Sequence, residues 1–276
     1  MDERIFTESL AEKLQARKGV GITLYWLGQA GFIIDLPQYR IVIDPYLSNT
    51  LADKYSNTAY SHERMMAPPV TAEELGPVDL VLCTHHHTDH MDGETLNALA
   101  KRLPKLLFAV PAAATALAIQ RIGVGIERLI LLDIGDVVSP LPEVDLHAFR
   151  AAHEALERDE NGKHRFLGYG LNYRGMRIFH SGDCIPFGGQ IEEVSRFGPQ
   201  LALLPVNGRK PELNAAGFAG NFSIAEAKAL ATQCKIPNLI VHHYGMFTFN
   251  TVSPEEIDAA SLTRAQTQIA YHLAPG

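Results

Sequence analysis

Four histidines and an aspartate crowd into six consecutive positions of this chain, His85-His86-His87-Thr88-Asp89-His90. Neutral imidazole and carboxylate are ligands for borderline divalent cations. The hydrophobic run at 78–83 leads straight into them and reads as a strand, whose end is a rigid place to hold a metal. In the pattern His-x-His-x-Asp-His, residues 85 and 87 share one face of an extended segment. Asp89 and His90 fall after a turn and address a second, neighbouring point. One cluster therefore suggests two metal positions. The plain alternative is a solvated His-rich loop or an expression tag, and a tag would be terminal and flanked by linker residues.

Three further candidates stand at the ends of predicted strands. His153 follows a run at 144–151, Asp183 follows 176–180 through Ser181-Gly182, and His242 and His243 close the run at 238–241. Any one strand-end histidine is commonly a hydrogen-bonded structural residue. Several strand ends converging on one rim are a different case, because shared rims are where sites assemble.

The elements that must position these residues alternate in character. Residues 2–18 read as a short amphipathic helix with Leu10 and Leu14 at i, i+4. Runs at 21–27, 32–36 and 40–44, separated by Gly28-Gln29-Ala30-Gly31 and Leu36-Pro37-Gln38, predict an antiparallel meander. Residues 47–69 are polar and irregular, a long loop that is functional or mobile by its length. Strands at 78–83 and 106–110 then alternate with helices at 93–102 and 111–122, the latter opening on proline. β-like runs return at 144–151, 166–173 and 176–180, with Asn161-Gly162 at a hairpin tip. The last third predicts strands at 201–204, 238–242 and 267–272 and helices at 224–234 and 254–263. Ser223 and Glu226 carry capping-box spacing at the first of those helices. Two β/α halves of similar layout point to an α/β fold of two packed sheets with helices outside, in one domain over 1–276.

The bulk properties exclude several classes. A net charge of −7 argues against a general nucleic-acid binder, which needs a clustered basic surface. No apolar stretch approaches the ~20 residues of a membrane span, and the acidic start Met1-Asp2-Glu3-Arg4 lacks a signal-peptide core. Three cysteines without Cys-x-x-Cys spacing fit a reducing compartment, so a cytoplasmic address is expected. Cys83 and Cys184 flank ligand candidates; buried apolar cysteine is the commoner reading of each.

Taken together, His85, His87, Asp89, His90, then His153, Asp183 and His243 resemble the ligand series of metallo-β-lactamase-fold hydrolases. The likeness runs from Trp26-Leu27-Gly28-Gln29-Ala30-Gly31-Phe32 to His243-Tyr244-Gly245-Met246-Phe247. These two end segments are similar to the branch containing L-ascorbate-6-phosphate lactonase. The resemblance implies a four-layer αββα sandwich of two mixed β-sheets with helices on the outer faces. It implies one metal on His85, His87 and His153, a second on Asp89, His90 and His243, and Asp183 bridging. His243 is preferred to His242 because the His-Tyr-Gly order matches the branch. His86 is out of phase and is expected to support its neighbours or face solvent. Asp44, in Ile43-Asp44-Pro45, either accepts a proton from a ligand imidazole and fixes its tautomer or simply forms an Asp-Pro turn.

Two divalent ions, Mn2+ or Zn2+, are the implied cofactors, with the lactonase likeness favouring manganese. Such a pair lowers the pKa of bound water from 15.7 to about 7, giving a hydroxide nucleophile at neutral pH. Asp89 and Asp183 would orient it, and Tyr244 would donate to the developing oxyanion or merely pack. Asn207 and Arg209, in the run 205–210, offer an anchor for a phosphate or carboxylate. The helix start near 217–223 offers free amides, and Gln29 resembles a position near the metals in the branch. Tyr55, Tyr60, Arg64 and Met65-Met66 are expected in the pocket wall or a subunit contact. The expected function is hydrolysis of a small anionic substrate, a lactone or sugar-phosphate derivative, by a homo-oligomer without nucleic-acid or membrane partners. The alternatives are a phosphodiesterase on RNA, cyclic nucleotide or phospholipid, a redox di-iron protein, and a non-catalytic metal-binding protein.

Overall fold

Two mixed β-sheets, of eight and seven strands, organise the computed structural model of this chain, which describes residues 1–15 and 19–273. The residues form two compact units. One comprises Met1–Val110, Ala114–Leu131 and the described residues from Ala265 onward; the other comprises Pro111–Ala113 and Leu132–Arg264.

The first unit contains β1 (Asp2–Ile5), α1 (Leu10–Gln15), β2 (Ile22–Gly28), β3 (Gly31–Asp35), β4 (Arg40–Ile43), α2 (Thr50–Lys54), β5 (Leu80–Leu82), α3 (Gly93–Arg102), β6 (Leu107–Pro111), α4 (Thr115–Ala118) and β7 (Leu129–Leu132). Its sheet runs β1, the C-terminal strand Ile269–Leu273, then β2 through β7 in order. The expected meander forms: β2, β3 and β4 pair antiparallel, and β4, β5 and β6 then pair parallel. Every residue of β2, β3, β4 and β5 is buried, in keeping with their continuous apolar runs. The core gathers Leu10 and Leu14 of α1 with Leu96 and Leu99 of α3 and Phe108 of β6.

Three expectations are corrected here. The helix over 2–18 starts only at Leu10, where Ser9 and Glu12 cap each other: the Glu12 amide donates to Ser9 Oγ (3.2 Å) and the Ser9 amide to Glu12 Oε2 (2.9 Å). Before it, β1 pairs antiparallel with the C-terminal strand, a long-range partner that local periodicity does not show. Positions 16–18 of that expectation lie outside the described residues. The helix over 111–122 divides into a 3-10 turn, α4 and a π turn at Ile119–Gly123. The loop over 47–69 contains α2 and is tied by Arg64, which donates to the carbonyls of Tyr46, Ser48 and Met66.

The second unit contains β8 (Val137–Leu141), β9 (Val144–Arg150), β10 (Leu167–Tyr173), β11 (Met176–His180), α5 (Gln190–Phe197), β12 (Leu201–Pro205), α6 (Pro211–Ala215), α7 (Ile224–Gln233), β13 (Asn238–His242), α8 (Pro254–Ala259) and β14 (Thr263–Arg264). β8 to β11 form an antiparallel meander, and β11 to β14 pair parallel. Capping boxes start α7 at Ser223–Glu226 and α8 at Ser253–Glu256. β7, β8, α5 and α6 carry too short or too mixed a pattern to be read from sequence. No helix among the described residues is long and apolar enough to cross a membrane.

One buried charge ties β3, the end of α1 and the carbonyl of Leu75 to β4. Arg40 is 1% exposed and forks onto Asp35, Nε to Oδ1 at 2.6 Å and Nη2 to Oδ2 at 2.8 Å. It also donates to the Leu75 and Leu14 carbonyls at 2.6 and 3.1 Å. Removing one partner of such a pair strands the other charge in a site without water. Arg40→Met is therefore expected to destabilise the chain by about 3–5 kcal/mol, read as a lowered urea midpoint in equilibrium unfolding.

Candidate metal centre

The His-rich motif hangs from the ends of β4 and β5. The backbone closes the two ends, with the Asp44 amide donating to the Leu82 carbonyl and the Cys83 amide to the Ala109 carbonyl, both at 2.9 Å. Just beyond, Asp44 takes three hydrogen bonds on a fully buried carboxylate. The Thr84 amide donates to Oδ1 at 2.8 Å, the Thr84 hydroxyl to Oδ2 at 2.6 Å, and His90 Nδ1 to Oδ2 at 2.7 Å. Of the two readings of Asp44, the structure supports the one that fixes an imidazole tautomer. With its proton held on Nδ1, His90 carries its lone pair on Nε2, the atom a metal needs.

A tight turn then folds the motif on itself, the amides of His90 and Met91 both donating to the His87 carbonyl at 3.1 and 2.8 Å. The His85 ring centroid comes to 4.6 Å from His87 and 4.0 Å from His90. Arg121 grips the segment from outside, donating through Nη1 to the carbonyls of both His86 and Met91. Gln29, in the turn between β2 and β3, donates from Nε2 to Asp89 Oδ2 at 2.8 Å. Burial pushes the Cys83 thiol well above its usual range, and the nearby Asp44 charge adds to the shift. It stays protonated and is a packing residue.

The second unit brings its candidates forward on three strand ends. His153 follows β9 and packs against Phe166. Asp183 follows β11 through Ser181-Gly182, and His180 steadies that turn by accepting from the Gly182 amide at 3.0 Å. His243 follows β13 with its Nε2 3.3 Å from Asp183 Oδ2. His242 turns the other way and stacks on His180 at 4.8 Å. Burial first, then the neighbouring imidazoles His180 and His243, hold its pKa well below the ordinary histidine value. It is neutral and structural. Cys184, pushed by burial up to about 12, is likewise no thiolate.

Ligand atoms fall into three groups, within 4.8 Å of one another in each: His85, His87 and His153; His85, His90 and Asp183; Asp89, His90 and His243. The donor set, imidazole and carboxylate with no thiolate, fits a borderline or hard divalent cation.

The substrate expectations fare differently. Asn207 is buried in an amide chain, accepting from Asn221 Nδ2 and donating to Asn250 Oδ1, each at 2.9 Å. Arg209 pairs with Glu226 and donates to the Asn221 carbonyl at 2.9 Å. Glu226 also closes the capping box of α7, so its one carboxylate accepts from both the Arg209 guanidinium and the Ser223 amide at the helix start. Lys210 donates to the Phe249 carbonyl. Tyr244 is buried, and burial raises its phenol against the Arg264 guanidinium hydrogen-bonded to it. Residues that sequence reasoning passed over are Thr84, Arg121, His180 and Asn221. Only Thr84, a hydroxyl placed directly before the motif, left a signal there.

The chain matches the model of the beta-lactamase superfamily domain over residues 39–244. It is 27% identical over 256 residues to a UPF0173 metal-dependent hydrolase of Caldivirga maquilingensis, covering 92% of this chain and 95% of that protein. An isothiocyanate hydrolase from Delia radicum gut bacteria superposes with a TM-score of 0.75 at 16% identity, covering 91% of this chain and 99% of its own. The metallo-beta-lactamase fold protein YhfI from Bacillus subtilis gives 0.65 at 13% identity, covering 92% and 100%. By the extent of the family match and by these likenesses of architecture, the chain belongs to the beta-lactamase superfamily and has the metallo-β-lactamase fold.

Proposed function

We propose that this protein is a metal-dependent hydrolase of small anionic substrates, with a lactone or sugar-phosphate derivative, in the manner of L-ascorbate-6-phosphate lactonase, as the substrate class. The observation that carries the reading is the grouping of seven His and Asp side chains into three sets of mutually close ligand atoms, with His85 and His90 each shared by two sets. The relatives named as metal-dependent hydrolases support the same activity class. His85, His87 and His153 would hold one ion, and Asp89, His90 and His243 another, with Asp183 between them; manganese or zinc suits these donors. When bound, such ions supply a water acidified to near neutrality, Lewis-acid polarisation of the electrophilic oxygen, and positive charge for an anionic substrate.

The protein's own part is orientation. Gln29 fixes the plane of the Asp89 carboxylate through Oδ2, so that carboxylate meets an attacking water in one attitude. Asp183 is buried beside His243 Nε2; its carboxylate would accept that water's proton and return it to the leaving oxygen. Asp44 and Thr84 hold His90 in a single tautomer. Tyr244, with its hydroxyl against Arg264, braces the segment after His243. Arg209 is paired with Glu226, and an anionic substrate would have to share that guanidinium with it.

Chelator treatment is expected to abolish hydrolysis of a lactone and phosphoester panel, and manganese or zinc to restore it. A fully metallated protein inert on the whole panel would overturn the substrate class. His85→Ala and Asp183→Ala should each lower bound metal per chain and bring hydrolysis to background; unchanged turnover in both would defeat the metal mechanism. Asp44→Asn keeps the shape but sets an amide N–H against His90 Nδ1–H, driving the proton to Nε2. Metal affinity should fall about 10–100-fold, measured by competition with a chromogenic chelator, with the circular dichroism spectrum unchanged.

A further inference from the structure

A cavity of about 490 Å³ lies on the second unit, over the face of its sheet where β9, β10 and α5 meet. No metal-ligand candidate lines it. Register explains its floor. His147 and Phe149 alternate with core residues along β9 and stand opposite Gly170 and Gly168 of β10. Phe197 of α5 lies down on this strip, its ring 5.0 Å from His147 and 5.2 Å from Phe149. Gly170 makes that approach feasible, since a Cβ there would fall 2.6 Å from the Phe149 ring and 2.8 Å from that of Phe197. The volume matches a small-molecule site, for which a few hundred Å³ is usual.

The polar lining carries two carboxylates, Asp136 and Glu193, and two guanidiniums, Arg177 and Arg196, which differ in their partners. Glu193 is committed to Arg150, accepting from its Nε at 2.7 Å and from its amide at 3.2 Å. Asp136 accepts from the Asp133 amide. Arg177 and Arg196 both line the cavity, and neither forms an ion pair among the described residues. The Arg177 Nε is buried with no hydrogen-bond partner among the described residues, a donor that a planar anion can complete. Arg177 lies close to Gly198 at the C-terminal end of α5, whose carbonyl dipole offsets part of its charge but supplies no hydrogen bond. Burial lowers the His147 pKa, so that ring adds no charge at neutral pH.

The geometry points to a second binding site for a small aromatic carboxylate, its ring on Phe149, Phe197 and His147 and its carboxylate on Arg177 and Arg196. A ligand ring would meet the edges of these largely buried rings, as edge-to-face packing allows, and a guanidinium takes a carboxylate through two parallel hydrogen bonds.

Benzoate is the test probe, titrated by calorimetry into the full chain saturated with manganese. Cyclohexanecarboxylate has the charge without the flat ring, and benzamide the ring without the charge. Benzoate should bind at least about 10-fold more tightly than either, and Arg177→Gln should weaken it about 10-fold or more, as loss of one charge-assisted pair requires. Val137 is 57% exposed on the same lining, so Val137→Glu can repel the probe without disturbing the core and should also abolish binding. No measurable benzoate binding, benzoate no tighter than benzamide, or binding unchanged in both Arg177→Gln and Val137→Glu would each overturn the assignment.

Discussion

The fully buried carboxylate of Asp44 is the point on which the candidate centre depends. An unpaired charge so far from water would be prohibitive, and here three donors surround it. Each bond has a separate consequence. The Thr84 amide registers the motif against the end of β4, the Thr84 hydroxyl fills the remaining acceptor direction, and His90 is left with one usable ring nitrogen. A single anion thus joins strand pairing to imidazole chemistry. The parallel pairing of β4 with β5 places the two strand ends side by side and so makes the contact feasible.

Left-handed backbone occurs at several residues that carry or support the candidate ligands. Gln29, Asp44 and His243 all hold left-handed backbone, with φ of 50°, 44° and 63°. For residues with a side chain this costs on the order of 1–3 kcal/mol each and persists only where the surroundings over-determine it. For Gln29 the constraint is visible: Trp26 Nε1 donates to its carbonyl at 3.0 Å, and the adjacent Gly28 absorbs a φ of 93°. At His243 the reversal after β13 sends consecutive imidazoles to different environments. His242 stacks on His180, and His243 faces Asp183.

Around the second unit's strand ends, polar side chains are joined to one another. Asn207, Asn221 and Asn250 form a chain of amides, and Asn221 Oδ1 also accepts from the Cys184 amide next to Asp183. Arg209 and Glu226 close the same region from the side of α7. Such networks rigidify when fully satisfied. Here the network ties Asn207 and Asn250 to the turn carrying Asp183.

Sequence alone determined the features that are local or chemical. The strand-then-motif order at 78–90, the β2–β4 meander, the capping box of α7 and the imidazole-carboxylate donor set all follow from short-range pattern, because turn chemistry and ligand type are written within a few residues. The likeness to a known ligand series added the distant members of the site. Tertiary structure alone decided which polar groups face one another. It turned Arg209 towards Glu226 and Asn207 towards Asn221, enlisted Arg121 and His180 to hold the loops, and drew Asp2–Ile5 into a strand beside the C-terminus. Most of those outcomes depend on partners more than a dozen positions away, and no periodicity or motif encodes the direction in which a long side chain will find its counter-charge.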